Sequence, residues 1–126
     1  MQELIYIAIG GAAGTLLRHS ICLLSQHLGM DATRWPTLSV NTLGCFLFGI
    51  ILAVDTPLID ERGRQILLTG FMSGLTTFSS LISNTTSLLQ GNHWRSALTH
   101  LEVETILGIF ALYLGILLGG ILTTGR

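Results

Sequence analysis

The sequence contains no lysine, and it has few charged residues of any kind. Six arginines and seven acidic residues account for 10% of its 126 positions, whereas about a quarter of the residues in an ordinary soluble domain are charged. The formal net charge is −1, so the chain has no basic footprint for nucleic acid, and we expect no such partner. This composition argues against an ordinary soluble domain.

Cysteine is also scarce, and the patterns of the common catalytic sites are missing. Cys22 and Cys45 lie inside apolar stretches, where a thiol behaves as a small hydrophobe, and no zinc-ligand pattern surrounds them. The serines in the apolar stretches have no base in a recognisable arrangement, and no glycine-rich loop carries the lysine of a nucleotide site. We therefore predict that the protein is not an enzyme.

Apolar sequence is abundant instead. Hydrophobic residues make up 49% of the chain, and the mean hydropathy is +0.67. Four apolar stretches predict an all-α integral membrane protein that forms one four-helix domain over residues 1–126. The predicted spans are 4–28, 37–54, 65–89 and 96–122. A soluble helical domain would have too little polar surface to cover these stretches. The first stretch lacks the basic start of a signal peptide, and three more follow it.

The third stretch contains a segment that suits a continuous helix poorly. Residues 65–94 are thirty positions without Asp, Glu, Lys or Arg, a run long enough to cross a bilayer. Within this run, residues 70–81 contain two glycines and five hydroxyl side chains, which lower helix propensity. Backbone that leaves helical geometry at membrane depth must be buried in protein or line a polar cavity. We therefore predict a membrane helix that is broken beside an ion site.

The first span carries small residues at helical spacing. Gly10 and Gly14 form a GxxxG pair, which lets two helix backbones approach where lipid offers no hydrophobic drive for association. We interpret this pair as a packing face. Arg18 follows in the same span, where it either extends to the membrane interface or faces a water-filled vestibule that would attract anions.

Polar side chains in two other spans also have open interpretations. The amide of Asn41 must find partners, either across a helix interface or on a permeating ion. His100 and Glu104 are four residues apart on one helix and can touch, whereas Glu102 faces nearly the opposite side from Glu104. His100 and Glu104 lie either near the lipid headgroups or, for Glu104, along a polar pathway.

The arginines are balanced across the predicted topology. Four spans place Arg62, Arg64 and Arg126 on one side of the membrane and Arg34 and Arg95 on the other. This gives almost no positive-inside bias, so we expect both orientations to be made. Chains inserted both ways can pair as a two-fold antiparallel dimer. Because four short spans leave little room for an enclosed path, dimerisation would supply the missing walls.

Three sequence motifs occur in a fixed order along the chain. They are Gly10-Gly-Ala-Ala-Gly-Thr-Leu-Leu-Arg18, Thr37-Leu-Ser-Val-Asn41-Thr-Leu-Gly44 and Gly70-Phe-Met-Ser-Gly-Leu-Thr-Thr-Phe78-Ser. Together they resemble the Fluc/CrcB family of bacterial fluoride channels, and with four spans the resemblance covers essentially the whole chain. It implies a multi-pass, dual-topology homodimer in the bacterial inner membrane. Such a dimer exports cytoplasmic fluoride passively through two antiparallel pores, with one sodium ion at its centre.

The resemblance implies roles for individual residues in the fluoride pathway. Asn41 matches the pore-lining asparagine, and Phe78 matches the first of two phenylalanines whose ring edges face the anion. An aromatic ring has a positive edge, so it can solvate fluoride without a full charge that would trap the ion. The remaining pathway residues implied by the resemblance are Leu81, Ser80, Thr37, His100 and the vestibule arginine, Arg18.

The resemblance also implies sodium ligands, and the sequence departs from the family pattern near them. The backbone carbonyls of Ser73 and Thr76 would bind the sodium ion, since oxygen ligands suit a small hard cation. Ser73 replaces a common glycine, and Leu81 replaces the second phenylalanine without keeping a polar ring edge. Asn84 stands where an acidic residue is common, and Glu104 where a small hydroxyl residue is expected. A carboxylate beside an anion path repels the anion unless it is protonated or paired.

Two other functions fit a small four-span protein. A dual-topology multidrug exporter is also a four-span antiparallel dimer, but such exporters have a glutamate within the first span, whereas Glu3 precedes it. A non-transporting assembly protein would use the small-residue faces for packing alone. That function gives no purpose to the hydroxyl cluster Thr76-Thr-Phe-Ser-Ser80 in mid-membrane. A fluoride channel is the function we expect.

Overall fold

The computed structural model describes residues 1–31, 34–55, 57 and 59–124. Within these ranges the regular elements are all helical. In chain order they are α1 (Gln2–His27), α2 (Trp35–Ala53), α3 (Glu61–Ile66), a π-helical segment (Leu67–Met72), α4 (Ser73–Leu75), α5 (Phe78–Gln90) and α6 (Trp94–Thr124). Four helical stretches of the described chain are long and apolar enough to cross a membrane. The predicted all-α, four-span fold is confirmed.

Most helix ends lie slightly beyond the predicted spans, whereas α1 and α2 end one residue earlier, at His27 and Ala53. α1 begins at Gln2 and α6 ends at Thr124. The third span begins at Glu61, because the Asp60 side chain caps its first turn by accepting a hydrogen bond from the Gly63 N–H at 2.8 Å. Apolar content marks the length of helix in contact with lipid, whereas each helix continues until a cap or turn ends it.

Charged side chains fix the start of the third span. Arg62 Nε lies 3.0 Å from Glu3 Oε1, and Arg64 donates a hydrogen bond to the Val54 carbonyl at 2.9 Å. These contacts join α3 to α1 and to the end of α2. Arg126, which the sequence assigns to the same side of the membrane, lies outside the described residues.

Glycines allow α1 to pack closely on residues 61–75, which we call the first half-helix. A Cβ atom at Gly14 would overlap the backbone oxygen of Phe71, and one at Gly74 would overlap that of Gly11. The two backbones are therefore in direct contact, as close-packed membrane helices with small interfacial residues are. The packing face predicted for the GxxxG pair is confirmed.

α2 and α6 form a second glycine-lined pair. A Cβ atom at Gly49 would overlap the backbone oxygen of Leu112, and one at Gly115 would overlap that of Phe46. Because the contact again joins backbone to backbone, it fixes the position of α6 relative to α2. The position of α6 matters for the site, since α2 carries Asn41 and α6 carries His100 and Glu104.

A small apolar core lies beside the end of the first half-helix. Val40, Met72 and Leu75 are almost fully buried and pack together, so the last turn before Thr76 is held firmly. Many large apolar side chains elsewhere are exposed, including Phe110. In a four-span membrane protein these surfaces face lipid or another protein chain, because an apolar surface of this extent is unfavourable in water.

Candidate functional site

The third span is broken at two consecutive threonines. Thr76 and Thr77 have extended backbone, with ψ angles of 156° and 107°, and α5 begins immediately after them. The break lies within the predicted stretch, residues 70–81, but it is narrower than that stretch. The glycine side remains helical, first as the π-helical segment and then as α4, because Gly70 and Gly74 are packed against the α1 backbone.

Asn41 supplies the partners that the broken backbone needs. Its Oδ1 accepts a hydrogen bond from the Thr77 N–H at 2.8 Å, and its Nδ2 donates one to the Thr77 carbonyl at 3.3 Å. In a continuous helix the Thr77 N–H would donate to the Ser73 carbonyl. Of the two interpretations of Asn41, bonding between helices is therefore observed, and the bonded groups are those of the break.

Thr77 also caps the second half of the span. Its Oγ1 accepts a hydrogen bond from the Ser80 N–H at 3.3 Å and donates one to Ser80 Oγ at 3.0 Å. A side-chain oxygen at this position stabilises the first turn of a helix. The N-terminus of α5 then lies beside the break, where the helix dipole favours negative charge.

Three of the predicted pathway residues lie together in a groove of about 450 Å³, which we call the Asn41 groove. Asn41, Phe78, Leu81 and Glu104 line it, together with Thr77. The Phe78 side chain is 75% exposed, whereas Leu81 is largely buried. The ring of Phe78 therefore extends away from the body of its own chain, and Leu81 forms part of the wall behind it.

A second set of predicted residues lines another groove of about 510 Å³, the Arg18 groove. Arg18, Thr37 and Ser80 line it, and Thr77 contributes to both grooves. The Thr37 hydroxyl accepts a hydrogen bond from Asn84 Nδ2 at 3.1 Å, so these polar side chains are already organised within one chain. The break forms the boundary between the two grooves.

His100 lies apart from both sets. It lines a cavity of about 210 Å³ together with Asp31 and Arg34, the His100 cavity. The predicted pathway residues therefore occupy three separate cavities, each of them partly open. One chain brings polar groups to both sides of the break, but it does not enclose a path between them.

The predicted contact between His100 and Glu104 is confirmed, and both side chains are buried within the chain. His100 Nε2 lies 3.6 Å from Glu104 Oε1, and the two side chains are only 4% and 2% exposed. Glu104 Oε2 accepts a hydrogen bond from Asn41 Nδ2 at 2.9 Å. This bond has no local sequence signal, because it joins residues 63 positions apart. The i, i+4 spacing of the histidine and the glutamate was the available signal that they act together.

The predicted sodium ligands lie at the end of the first half-helix. The Ser73 carbonyl does not receive the Thr77 N–H, which donates to Asn41 instead, and Thr76 has extended backbone. Within the described ranges no group of three His, Cys, Asp or Glu side chains could hold a metal. Backbone carbonyls at a helix C-terminus are oxygen donors of a kind that can bind a cation. Their chemistry suits sodium, a small hard ion.

The sequence as a whole matches a known family. A family model described as "CrcB-like protein, Camphor Resistance (CrcB)" matches residues 5–116. The match includes all three motifs and both threonines of the break, so it covers each residue that we predicted to lie in the pathway or at the cation site.

Curated relatives agree with this match over nearly their full length. A fluoride-specific ion channel FluC from Solidesulfovibrio magneticus is 42% identical over 94% of this chain and 97% of its own. FluC proteins from Nitrosococcus oceani and Thermus thermophilus are 42% and 39% identical, over 90% and 97% of this chain and 93% and 98% of their own. The family predicted from the three motifs is thereby confirmed, and this four-span membrane protein belongs to the CrcB family.

Proposed function

We propose that the protein is a fluoride channel of the bacterial inner membrane that lets cytoplasmic fluoride leave passively. Its relatives are named fluoride-specific ion channels. The observation that carries the proposal is the position of Phe78. Its exposed ring stands at the N-terminus of α5, next to Asn41 and the break. A positive ring edge and a helix N-terminus both favour a small anion without supplying a full charge.

Weak and repeated contacts explain how such a path can be both selective and fast. Fluoride must lose most of its water, and the lining has to replace that water without holding the ion tightly. The hydroxyl groups of Thr37 and Ser80 and the edge of Phe78 offer contacts of this kind. Arg18, which is half-buried in the Arg18 groove, would attract anions to the vestibule.

The second part of the proposal is an antiparallel homodimer. The two grooves on either side of the break are open in one chain, and the Phe78 ring is 75% exposed. A second copy in the opposite orientation would cover these surfaces and complete two equivalent pores. Near-equal numbers of arginine on the two sides of the membrane support insertion in both orientations.

The third part is a sodium ion at the centre of that dimer. The carbonyls of Ser73 and Thr76 lie at the C-terminal end of the first half-helix, where the helix dipole favours a cation. The two-fold axis would bring a second pair of carbonyls from the other copy and give an oxygen-only site. The chain's own residues would hold the ion through the backbone, so a serine in place of the common glycine is compatible with binding.

The alternatives have less support. Glu3, the only acidic residue of α1, lies in its first turn and pairs with Arg62, so it does not provide the mid-membrane carboxylate of a multidrug exporter. A purely structural assembly protein would leave the Asn41 groove and the capped break without a purpose. None of the relatives described above carries the name of an exporter or an assembly factor.

Fluoride release from liposomes tests the channel. Vesicles that contain the purified dimer are loaded with potassium fluoride, and valinomycin sets the membrane potential while a fluoride electrode follows release. We expect rapid release of fluoride without a proton gradient and no comparable release of chloride. Vesicles that contain verified dimer and release no fluoride would contradict the proposal.

Sodium needs a separate measurement, because backbone ligands cannot be removed by substituting a side chain. Thermal unfolding of the detergent-solubilised dimer is recorded in sodium chloride and in potassium chloride at equal ionic strength. A ligand that binds only the folded dimer raises its unfolding temperature. We expect a higher unfolding temperature in sodium, and equal temperatures in the two salts would rule out a stabilising sodium site.

A further inference from the structure

The buried pair His100 and Glu104 is not needed to explain the break or the anion path. Their side chains are 4% and 2% exposed, and the facing atoms, His100 Nε2 and Glu104 Oε1, lie 3.6 Å apart. Neither atom has a hydrogen-bond partner within the part of the chain that the structure describes. A single unpaired charge is very costly to bury. One proton on the pair makes its net charge zero, whichever of the two side chains carries that proton.

The charge of this pair acts directly on the anion path. Glu104 and Phe78 both line the Asn41 groove. The other oxygen of Glu104 is bonded to the amide of Asn41, which in turn holds Thr77. If the pair lost its proton, a full negative charge would lie beside fluoride in a poorly solvated site. Coulomb repulsion is strong in such surroundings.

The pair also has a route to water that does not pass through the Asn41 groove. His100 lines its own cavity with Asp31 and Arg34, which precede α2. His100 is six residues along α6 from Trp94 and Glu104 is ten, or about 9 Å and about 15 Å along the helix axis. A proton can therefore reach Glu104 from the face that carries the first loop, with His100 as the intermediate group.

Few other ionisable groups of the described chain lie near the pair. α2 contributes the thiol of Cys45, which lines the Asn41 groove with Glu104, and α5 has no ionisable side chain. Asp31 and Arg34, which carry opposite charges, line the His100 cavity. The pair is therefore the main variable charge beside the Asn41 groove, whereas His19 lines the Arg18 groove.

We propose that His100 and Glu104 form a proton-binding site whose single proton keeps the anion path passable, and whose loss at alkaline pH reduces fluoride flux. This inference rests on the proposed function, since it concerns regulation of the same path. Proton binding adds no covalent step: the proton exchanges with water through the His100 cavity, and the net charge of the pair changes from zero to −1.

Flux measurements over a range of pH test the regulatory part. Wild-type fluoride flux should fall about tenfold between about pH 6 and about pH 9, whereas Glu104→Gln should remove this fall because no charge can develop. Glu102→Gln is the matched control, since Glu102 is exposed on the same helix, and it should keep the wild-type profile. Identical pH profiles for wild type and Glu104→Gln would overturn the proposal.

A double substitution tests whether the two residues act as one site. His100→Gln leaves Glu104 without its proton-sharing partner, so flux near neutral pH should fall about tenfold. Adding Glu104→Gln to that variant should restore the flux, because the unbalanced carboxylate is gone. A double variant as slow as His100→Gln would show that the histidine acts in some other way. If His100→Gln does not fold, the pH dependence of fluoride flux in Glu104→Gln still tests the proposal.

Thermal unfolding tests the proton site without any fluoride flux. A folded chain that binds one proton more than the unfolded chain loses stability as pH rises. The unfolding temperature of wild type and Glu102→Gln should therefore decrease with pH more steeply than that of Glu104→Gln. Parallel curves would refute the proton site. A channel that carries no fluoride but keeps this difference would refute the proposed function alone.

Discussion

The two glycine-lined helix pairs and the polar half-helix α5 are built in opposite ways. In the pairs α1 with the first half-helix and α2 with α6, backbones touch and there is no space for even a methyl group at several positions. α5 has one buried residue, Leu81, in thirteen, and hydroxyl groups and the Phe78 ring cover much of its first turn. The glycine-lined pairs stabilise the fold, while the first turn of α5 offers hydroxyl groups and a ring edge that can contact an ion.

This difference separates the effects that substitutions should have. A change at a glycine contact should act on folding, because backbone atoms cannot move aside. A change at the start of α5 should act on transport, because the side chains there make few contacts within the chain. Asn41 belongs to both groups, since it holds the break and lines the Asn41 groove.

The largest effect is expected at a glycine contact. Gly115→Ala should lower the free energy of unfolding by about 3 kcal/mol or prevent assembly, because its Cβ would overlap the Phe46 backbone oxygen. Gly120→Ala on the same helix is the control, since no atom lies within 4 Å of its added Cβ. The yield of dimer and its unfolding temperature measure both. Equal behaviour of the two variants would show that these contacts do not hold the fold together.

Asn41→Asp should reduce both flux and stability. The carboxylate loses the donor to the Thr77 carbonyl, and it places a second negative charge beside Glu104. We expect flux to fall at least tenfold and stability to fall by about 1–3 kcal/mol. Asn84→Ala is the comparison, because the bond from Asn84 to Thr37 does not involve the break. Liposome flux and thermal unfolding are measured for both variants. Equal losses in the two variants would show that the bonds from Asn41 to the break are no more important than another polar bond between helices.

Phe78→Ile should slow fluoride without weakening the fold. The ring is 75% exposed in one chain, so its loss removes an electropositive edge and little packing within that chain. We expect a flux decrease of about tenfold with dimer yield unchanged. Phe110→Ile is matched to it, since Phe110 is 66% exposed on α6 and lies outside both grooves beside the break. A comparable loss of flux in both variants would remove Phe78 from the path.

Leu81→Phe is expected to have the smallest effect. It restores an aromatic edge in the Asn41 groove, and flux should rise about twofold if leucine at this position limits the rate. The groove is open on one side, so the larger ring can be accommodated, although Leu81 itself is largely buried. Leu89→Phe, at an exposed position later on α5, controls for added aromatic area. Slower flux with Leu81→Phe would indicate that the groove has no space for a larger side chain at this position.

Local sequence predicted the spans well because lipid imposes a length and a composition that can be read directly. The uncharged run of residues 65–94 predicted the third span, and its glycines and hydroxyl groups predicted a break. The position of the break was not predictable to the residue. It depends on Asn41, which lies 36 residues away from Thr77, and on the α1 backbone, which keeps the glycine side helical.

The site was predictable only where its members are close in sequence or match a family motif. The contact of His100 with Glu104 followed from their spacing on one helix. The bond of Glu104 to Asn41 joins two helices and has no local signal, so it could not be predicted from the sequence. The division of the pathway residues among three cavities was missed for the same reason, since it depends on how the four spans pack.

The two bonds between Asn41 and Thr77 have a mechanical consequence. One side chain holds both the N–H and the carbonyl of the same residue, so α5 cannot swing about the break unless both bonds open together. The junction therefore acts as a rigid joint and not as a hinge. We expect the path to have no gate at this point. The rate of ion passage is then set by the contacts between the ion and the residues that line the path.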